Sequence, residues 1–455
     1  MSRPRSAGSV FWGLILITTG MVLLLKNIGY EIPIWSGIAR YWPVLLIVWG
    51  VVKLVDYARW KKAGQPGPLF GAGEVILLII VILSGTALTA AANMSPDFGA
   101  FFNLANIDLF DLTGNSYPFS QHLEKEVPAG ATIEIINRYG NVEVTPADTN
   151  QITVEVAKTI IAENEAEAVR LEKDFTYDIV EENGRYRVIS NFNRDQNNFR
   201  GRRFKTSLTL KVPKSASVSI NNRNGSIEVS GLDGEQHIRN AFGGVTLKSI
   251  SKGVDIDSKN GEVVVEAIGG ATSITNEFGN VSAKDINGNL ELRNRNGSVS
   301  VDQVKGDAKV TASFGEATIA DVTGSLEVDG RNASVDALRV EKDVKVKDRF
   351  HWVKLGDVKG SIDVENENGN IEVRFSQPPK NNVQLTSKFS DITVVLPAAS
   401  AFSIDARTRY SNISSDFSEL NSTRDQDRES LVGRVGTGGP EIRINNHAGN
   451  IHIEK

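Results

Sequence analysis

Residues 260–315 read NGEVVVEAIGGATSITNEFGNVSAKDINGNLELRNRNGSVSVDQVKGDAKVTASFG, and the phrase returns to its start at every eighteenth position. Its corners are Asn260-Gly261, Phe278-Gly279, Asn296-Gly297 and Phe314-Gly315. Working outward, the register continues through Phe242-Gly243 and Asn224-Gly225 on one side. On the other it runs through Asn332-Ala333, Phe350-His351 and Asn368-Gly369. The first residue of each pair alternates between Asn and Phe. A second turn lies halfway along each unit, at Gly234, Gly270, Gly288, Gly306, Gly324 and Gly360, with Lys252 and Lys342 in the two gaps.

Between turns the apolar residues keep the same register. Ile227, Val245 and Val263 follow the first turn; Val229, Leu247 and Val265 come two residues later; Ile238, Ile256 and Ile274 belong to the second strand. Alternation at period two is the mark of a half-buried strand. Each unit is therefore strand, turn, strand, turn, and stacking units buries a core that no single unit could bury alone. The fold class is all-β: a parallel β-solenoid over residues 216–455, with a C-terminal cap. The Asn/Phe alternation predicts a full coil made of two such units, because parallel stacking favours Asn over Asn and ring over ring. Phe278, Phe314 and Phe350 would then stack directly. Later the register loosens, and Phe389-Ser390 and Tyr410-Ser411 each come three positions later than the unit would place them. The closing GTGGPEIRINNHAGNIHIEK is expected to cover the open end, which would otherwise invite edge pairing.

Residues 119–215 read as a β module leading into the solenoid, with period-two strands in ATIEIINRYGNVEVTP and QITVEVAKTII. One helix is expected from 162 to about 174 with Ala166 and Val169 on its inner side. Arg200, Arg202, Arg203 and Lys205 form a basic group read as a solvated hairpin tip.

The first hundred residues are a different material. Apolar runs at 9–25, 41–57 and 75–92 are long enough, with flanking residues, to span a bilayer as helices. Five of the six tryptophans (Trp12, Trp35, Trp42, Trp49 and Trp60) cluster there, as interfacial belts do. Arg3 and Arg5 precede the first run and Arg59, Lys61 and Lys62 follow the second, whereas no Lys or Arg follows the third until Lys125. The positive-inside rule places the N-terminus and the second loop in the cytoplasm and everything after Ala92 outside. Residues 93–118 read as a juxtamembrane linker. The expected location is the cytoplasmic (inner) membrane, multi-pass, with the C-terminal domain extracytoplasmic.

GLILITTGMVLLLKNIGY followed by YWPVLLIVWGVVKLV resembles the LiaI/LiaF-type transmembrane module of bacterial envelope proteins. The opening NRYGNVEV, the segment SLTLKVPKSASVSINNRNGSIEVSG, the NG/FG repeats and the closing GTGGPEIRINNHAGNIHI resemble the bacterial putative-adhesin family of β-strand-repeat domains. This second resemblance implies a β-solenoid at the cell envelope. Members of that family sometimes accompany LiaF-type envelope-stress systems.

Catalytic chemistry is not legible. There is no cysteine, so disulfides and thiolate metal sites are excluded. The five histidines (His122, His237, His351, His447 and His452) lack ligand-like spacing. A polysaccharide-cleaving β-helix needs acids clustered in one groove, but Glu228, Asp257, Glu262, Glu266, Asp302 and Asp363 are dispersed among Lys, Ser and Asn. Near Gly436, GTGGP lacks the Lys-Ser/Thr of a phosphate loop, and the nonapeptide calcium pattern is absent. A net charge of −5 over 455 residues gives no case for nucleic acid. The expectation is a non-enzymatic, membrane-anchored envelope protein without cofactor or metal, whose solenoid is an adhesion or interaction scaffold. Its partners would be the lipid bilayer and an envelope polymer, a surface partner or a membrane signalling protein. The alternative is an accessory regulator of envelope-stress sensing acting through the transmembrane helices; a carbohydrate-active enzyme is a distant third.

Overall fold

The computed structural model describes residues 115–162, 164–191 and 203–455. The three expected spans, and Arg200 and Arg202, lie outside the described residues. Strand structure already begins at Asn115–Glu126, ahead of the boundary expected at 119.

The chain divides into two compact units, the larger comprising Pro118–Thr159, Glu172–Asn198 and Phe204–Lys455. Ile160–Leu171 belongs to the smaller and holds most of the helix Glu165–Asp174. Asn164 starts that helix, its Oδ1 accepting from the Glu167 N–H at 2.9 Å. Its buried residues are Ala168 and Leu171, while Val169 is exposed. The expected inner pair, Ala166 and Val169, was therefore displaced by two residues: the same spacing of three fits both pairs, and the larger Leu171 takes the inside.

In the larger unit each coil consists of two strands. Val245–Ile250 and Val254–Asn260 make one coil, and Val263–Ile268 lies on the first of these strands in parallel, Val245 opposite Val263. Val254 stands opposite Thr272, so both ladders advance by one repeat unit per coil. The coil is thus a single unit and not the two expected. Asn260 faces Phe242 on one side and Phe278 on the other. Backbone ladders decide this, as in Val263 N–H to the Asn280 carbonyl at 2.9 Å. Like-on-like stacking has no comparable hold, because the Phe rings turn outward at the corner and bury too little area to select a longer coil.

The inward residues expected from period two are buried throughout, from Ile227, Val229 and Ile238 to Val353, Leu355 and Val364. A further inward row escapes that period. Ile250, Ile268, Ile286, Val304, Val322, Val340 and Val358 lie three residues after the previous inward position and are buried. The residue before each (Ser249, Ala267, Asp285, Gln303, Asp321, Arg339 and Asp357) has φ between 53° and 61°. This left-handed step, uncommon outside glycine, turns the chain so that residues three apart, such as Leu247 and Ile250, both face the core.

Both ends depart from sequence order. Thr132–Ala147 lies between Ser217–Asn224 with Ile227–Ser230 on one side and Arg185–Ser190 with Arg203–Pro213 on the other. At the far end, Ile442 stands opposite Val383 and also opposite Ile404, and Ile451 opposite both Ile392 and Ile413. The closing strand pair is therefore inserted between two coils and is not the cap expected of it. Insertion pairs its backbone groups on both sides, twice what an outermost coil achieves. The cap is Phe402–Arg409, covered by the antiparallel strand Arg428–Val435, with Phe402 and Phe417 packed edge to face at 5.3 Å. An antiparallel strand also covers the first end, where Tyr177–Glu182 pairs with Arg185–Ser190.

Candidate binding edge

The corner residues named from the repeat (Asn224 through Gly369) fall in one line along one edge of the coils. Two residues before the corner runs a second row, which sequence reasoning passed over: Asn222, Asn240, Asn276, Asn294 and Asn366, all buried, with Ser258, Ala312, Gly330 and Asp348 at the remaining corners. The signal was present as N-x-N-G and N-x-F-G. Each of these amides donates twice. Asn240 Nδ2 reaches the carbonyls of Gly225 at 3.0 Å and Gly243 at 2.9 Å. Asn294 Nδ2 reaches Gly279 at 3.1 Å and Gly297 at 3.0 Å. One amide thus ties its own corner to that of the preceding coil and satisfies two carbonyls that the strand ladders leave over.

Glycine at the corner follows from the same closeness. Gly297 has φ +130°, and a Cβ there would stand 2.2 Å from the Gly279 carbonyl oxygen. Corner asparagines do a lesser task, donating to the neighbouring coil's backbone: Asn260 Nδ2 to the Ala241 carbonyl at 3.1 Å, Asn296 Nδ2 to Glu277 at 3.3 Å. Corner aromatics do none of this. Phe278 is 46 % exposed, Phe314 48 %, Phe350 52 % and Phe389 58 %.

A concave feature elsewhere is a groove of about 730 Å³ running along the start of the second strand, floored by Val254, Leu290, Ala308, Leu326 and Val344. Most of its acids are engaged, the exception being Asp363, one of whose carboxylate oxygens is buried without a partner. Asp307 accepts from the Ser325 N–H at 2.8 Å and Asp343 from the Ser361 N–H at 2.7 Å, while Lys309 and Glu327 stand 3.5 Å apart across coils. Carboxylates bound to backbone hold coils together rather than await a proton. Among the described residues no group of three or more His, Asp or Glu could hold a metal ion. Buried Lys158 is likewise committed, donating to Glu172 at 2.7 Å and to the Phe175 carbonyl at 2.8 Å. In the buried row Asp348 replaces an asparagine. Burial raises its carboxyl above the usual value; backbone N–H groups, including that of His351 at 3.1 Å, oppose the shift.

These features define an all-β protein of stacked parallel coils with a continuous exposed corner. It belongs to the Toastrack DUF4097 family, whose pattern matches residues 131–454. Residues 11–115 match the LiaF transmembrane domain. Two solved structures are similar. One, described as a putative cell adhesion protein from Clostridium sporogenes, is 7 % identical, covering 74 % of this chain and 99 % of that one with a TM-score of 0.15. The other, described as a putative adhesin from Bacteroides fragilis, is 12 % identical, covering 56 % and 97 % with a TM-score of 0.25. No curated protein matches the chain.

Proposed function

We propose that this chain is a membrane-anchored envelope protein whose stacked coils serve, outside the cytoplasm, as a non-enzymatic interaction scaffold. The observation that carries this is the edge of stacked coils along which the corner rings Phe242, Phe278, Phe314, Phe350 and Phe389 stand exposed, in a chain whose first part matches a LiaF transmembrane domain. Dispersed and backbone-bound acids support binding over turnover. An envelope polymer or a surface partner fits such an edge better than a small metabolite, because the edge is long and convex while metabolite pockets are concave. A second reading, an accessory to envelope-stress sensing, draws on the transmembrane match alone.

Two measurements test this. With no native cysteine, Gly64→Cys and Ser226→Cys can be labelled singly in intact cells; an impermeant thiol reagent should reach only position 226. Labelling confined to position 64 overturns the topology. For the scaffold, detergent-solubilised full-length protein should sediment with purified walls of its host and leave their polymers uncut. Failure to sediment removes the scaffold reading, and reproducible cleavage replaces it with an enzyme.

A further inference from the structure

The exposed aromatics obey a rule that the sequence alone obscures. In chain order the corners Phe389 and Tyr410 are consecutive, which breaks the alternation with Asn. In space the inserted coil Glu441–Glu454 lies between them and presents Ala448 at its corner. Alternation is therefore kept from Tyr139, which faces Asn224, to the far end. Phe242, Phe278, Phe314, Phe350, Phe389 and Tyr410 are 36 % to 62 % exposed and stand on every second coil. Coils are about 4.8 Å apart, so successive rings are separated by roughly 9.6 Å over a row of ten coil steps, about 48 Å.

The coils between them contribute something else on the same edge. One residue before the corner, Lys259 follows Phe242, Arg295 follows Phe278 and Arg331 follows Phe314, all exposed. On the flat faces several cations pair with an acid one coil away, as in Lys309–Glu327 at 3.5 Å and Lys347–Glu365 at 3.5 Å. Lys259, Arg295 and Arg331 have no acid within ion-pair distance among the described residues. Glu277 shares their row; past Arg331 the pattern reverses, with Arg349, Lys388 and Arg409 on the ring coils and Glu367, held by Lys388 at 2.8 Å, and His447 between them. Glu262, Glu316 and Asp391 lie on the opposite flank of the corner, so the ridge has a basic side and a polar-to-acidic side.

We propose that this edge binds a linear, polyanionic glycan built from a neutral and an acidic sugar in alternation. The proposal rests on the scaffold reading and names the ligand of that scaffold. An extended β-linked disaccharide repeat has nearly the length of two coils, so every second sugar can place its C–H face on a ring. The sugar between then presents its carboxylate to Lys259, Arg295 or Arg331, with bidentate geometry open to the two arginines. Neighbouring bases of an extended single strand lie closer together than these rings. A lipid surface has no preferred period at all. Repetition at a fixed interval along one edge suits an extended polymer, and cations at the three successive intermediate positions Lys259, Arg295 and Arg331 suit one whose charge recurs at that interval.

The test uses the detergent-solubilised full chain and a hyaluronan decasaccharide, in which uronate alternates with N-acetylglucosamine, against a chitin oligosaccharide of equal length as the neutral control. Binding to hyaluronan should exceed binding to chitin by tenfold or more and weaken with salt. Phe278→Ala with Phe314→Ala should lose at least tenfold, and Arg295→Gln with Arg331→Gln should lose as much and flatten the salt dependence. Deleting residues 279–296 places Phe278 and Phe314 on adjacent coils, whereas deleting 261–296 keeps the alternation. The shorter deletion should be the more damaging. Equal binding of the two sugars, or hyaluronan binding untouched by both double variants, overturns the proposal. So does capture of anionic phospholipid vesicles through the same residues without glycan binding. Should the chain sediment with host walls regardless of these substitutions, the scaffold stands and this edge is not its binding face.

Discussion

Asn294 and Asn296 are the same residue two positions apart, yet they sit in different physical worlds. Asn294 is buried and its amide holds two corner carbonyls; Asn296 is half-buried and makes one bond to a neighbouring coil. Phe278 and Phe314, one coil to either side of Asn296, have about half their surface in water. The row that maintains the corner and the row that decorates it are thus separate, even though they share letters. A repeat that looks like one motif is two: a buried row that ties corner to corner where it is asparagine and a surface row free to carry recognition.

Stability measurements on the full chain, by denaturant midpoint in detergent, should separate the two rows in order of size. Gly297→Val combines a φ that L side chains rarely adopt with a collision against the Gly279 carbonyl, and should cost about 3 to 5 kcal/mol. Asn294→Leu leaves the Gly297 carbonyl without its side-chain donor and the Gly279 carbonyl with Asn276 alone, and should cost about 1 to 3 kcal/mol. A loss no larger than that of Asn296→Ala would erase the distinction between the rows.

Asp348→Asn sharpens the comparison from the other direction. The carboxyl is buried, its Oδ1 has no hydrogen-bond partner, and its pKa is raised by burial. A raised folded pKa means that the native state prefers the proton. The native protein is therefore penalised at neutral pH and relieved as the pH falls through the folded value towards the unfolded one. The amide should stabilise by about 1 to 2 kcal/mol at pH 7, and its advantage should shrink in acid. A pH-independent difference would place the cause elsewhere.

Phe314→Ala should cost only about 0.5 to 1.5 kcal/mol, since half the ring is already solvated. Its effect should add to that of Phe278→Ala, two coils away. A loss of several kcal/mol, or strong coupling, would restore the stacked-ring picture. Smallest of all is Arg339→Met. Arg339 meets Asp321 with two bonds of 2.6 Å at exposed left-handed positions and lowers the Asp321 pKa. That contribution is present above the unfolded carboxylate pKa and lost as pH falls through the folded one, and solvent screening keeps it the smallest of these effects.

Much of this could be read directly from the chain. The recurring corner announced the strands, the turns and three inward rows, because a core position repeated in every coil leaves its mark on every unit. The Ile250 row was missed because one left-handed residue shifts the inward spacing from two to three, and nothing in the side chain of Gln303 or Arg339 declares that conformation. Asn222 and its equivalents were visible as letters but were passed over in favour of the more conspicuous corner.

Sequence alone therefore determined the unit: its length, its β character, its corners and which residues could face a core, all of which follow from local alternation and turn chemistry. Tertiary structure decided what lies over what. Coil length came from hydrogen-bond ladders between chain segments, which placed Asn over Phe. The order of coils at both ends came from the gain of pairing a strand on two sides, which set the last coil between Phe389 and Tyr410 and kept the rings on every second step. Neither outcome is written in any one unit, because each is a property of the contact between units.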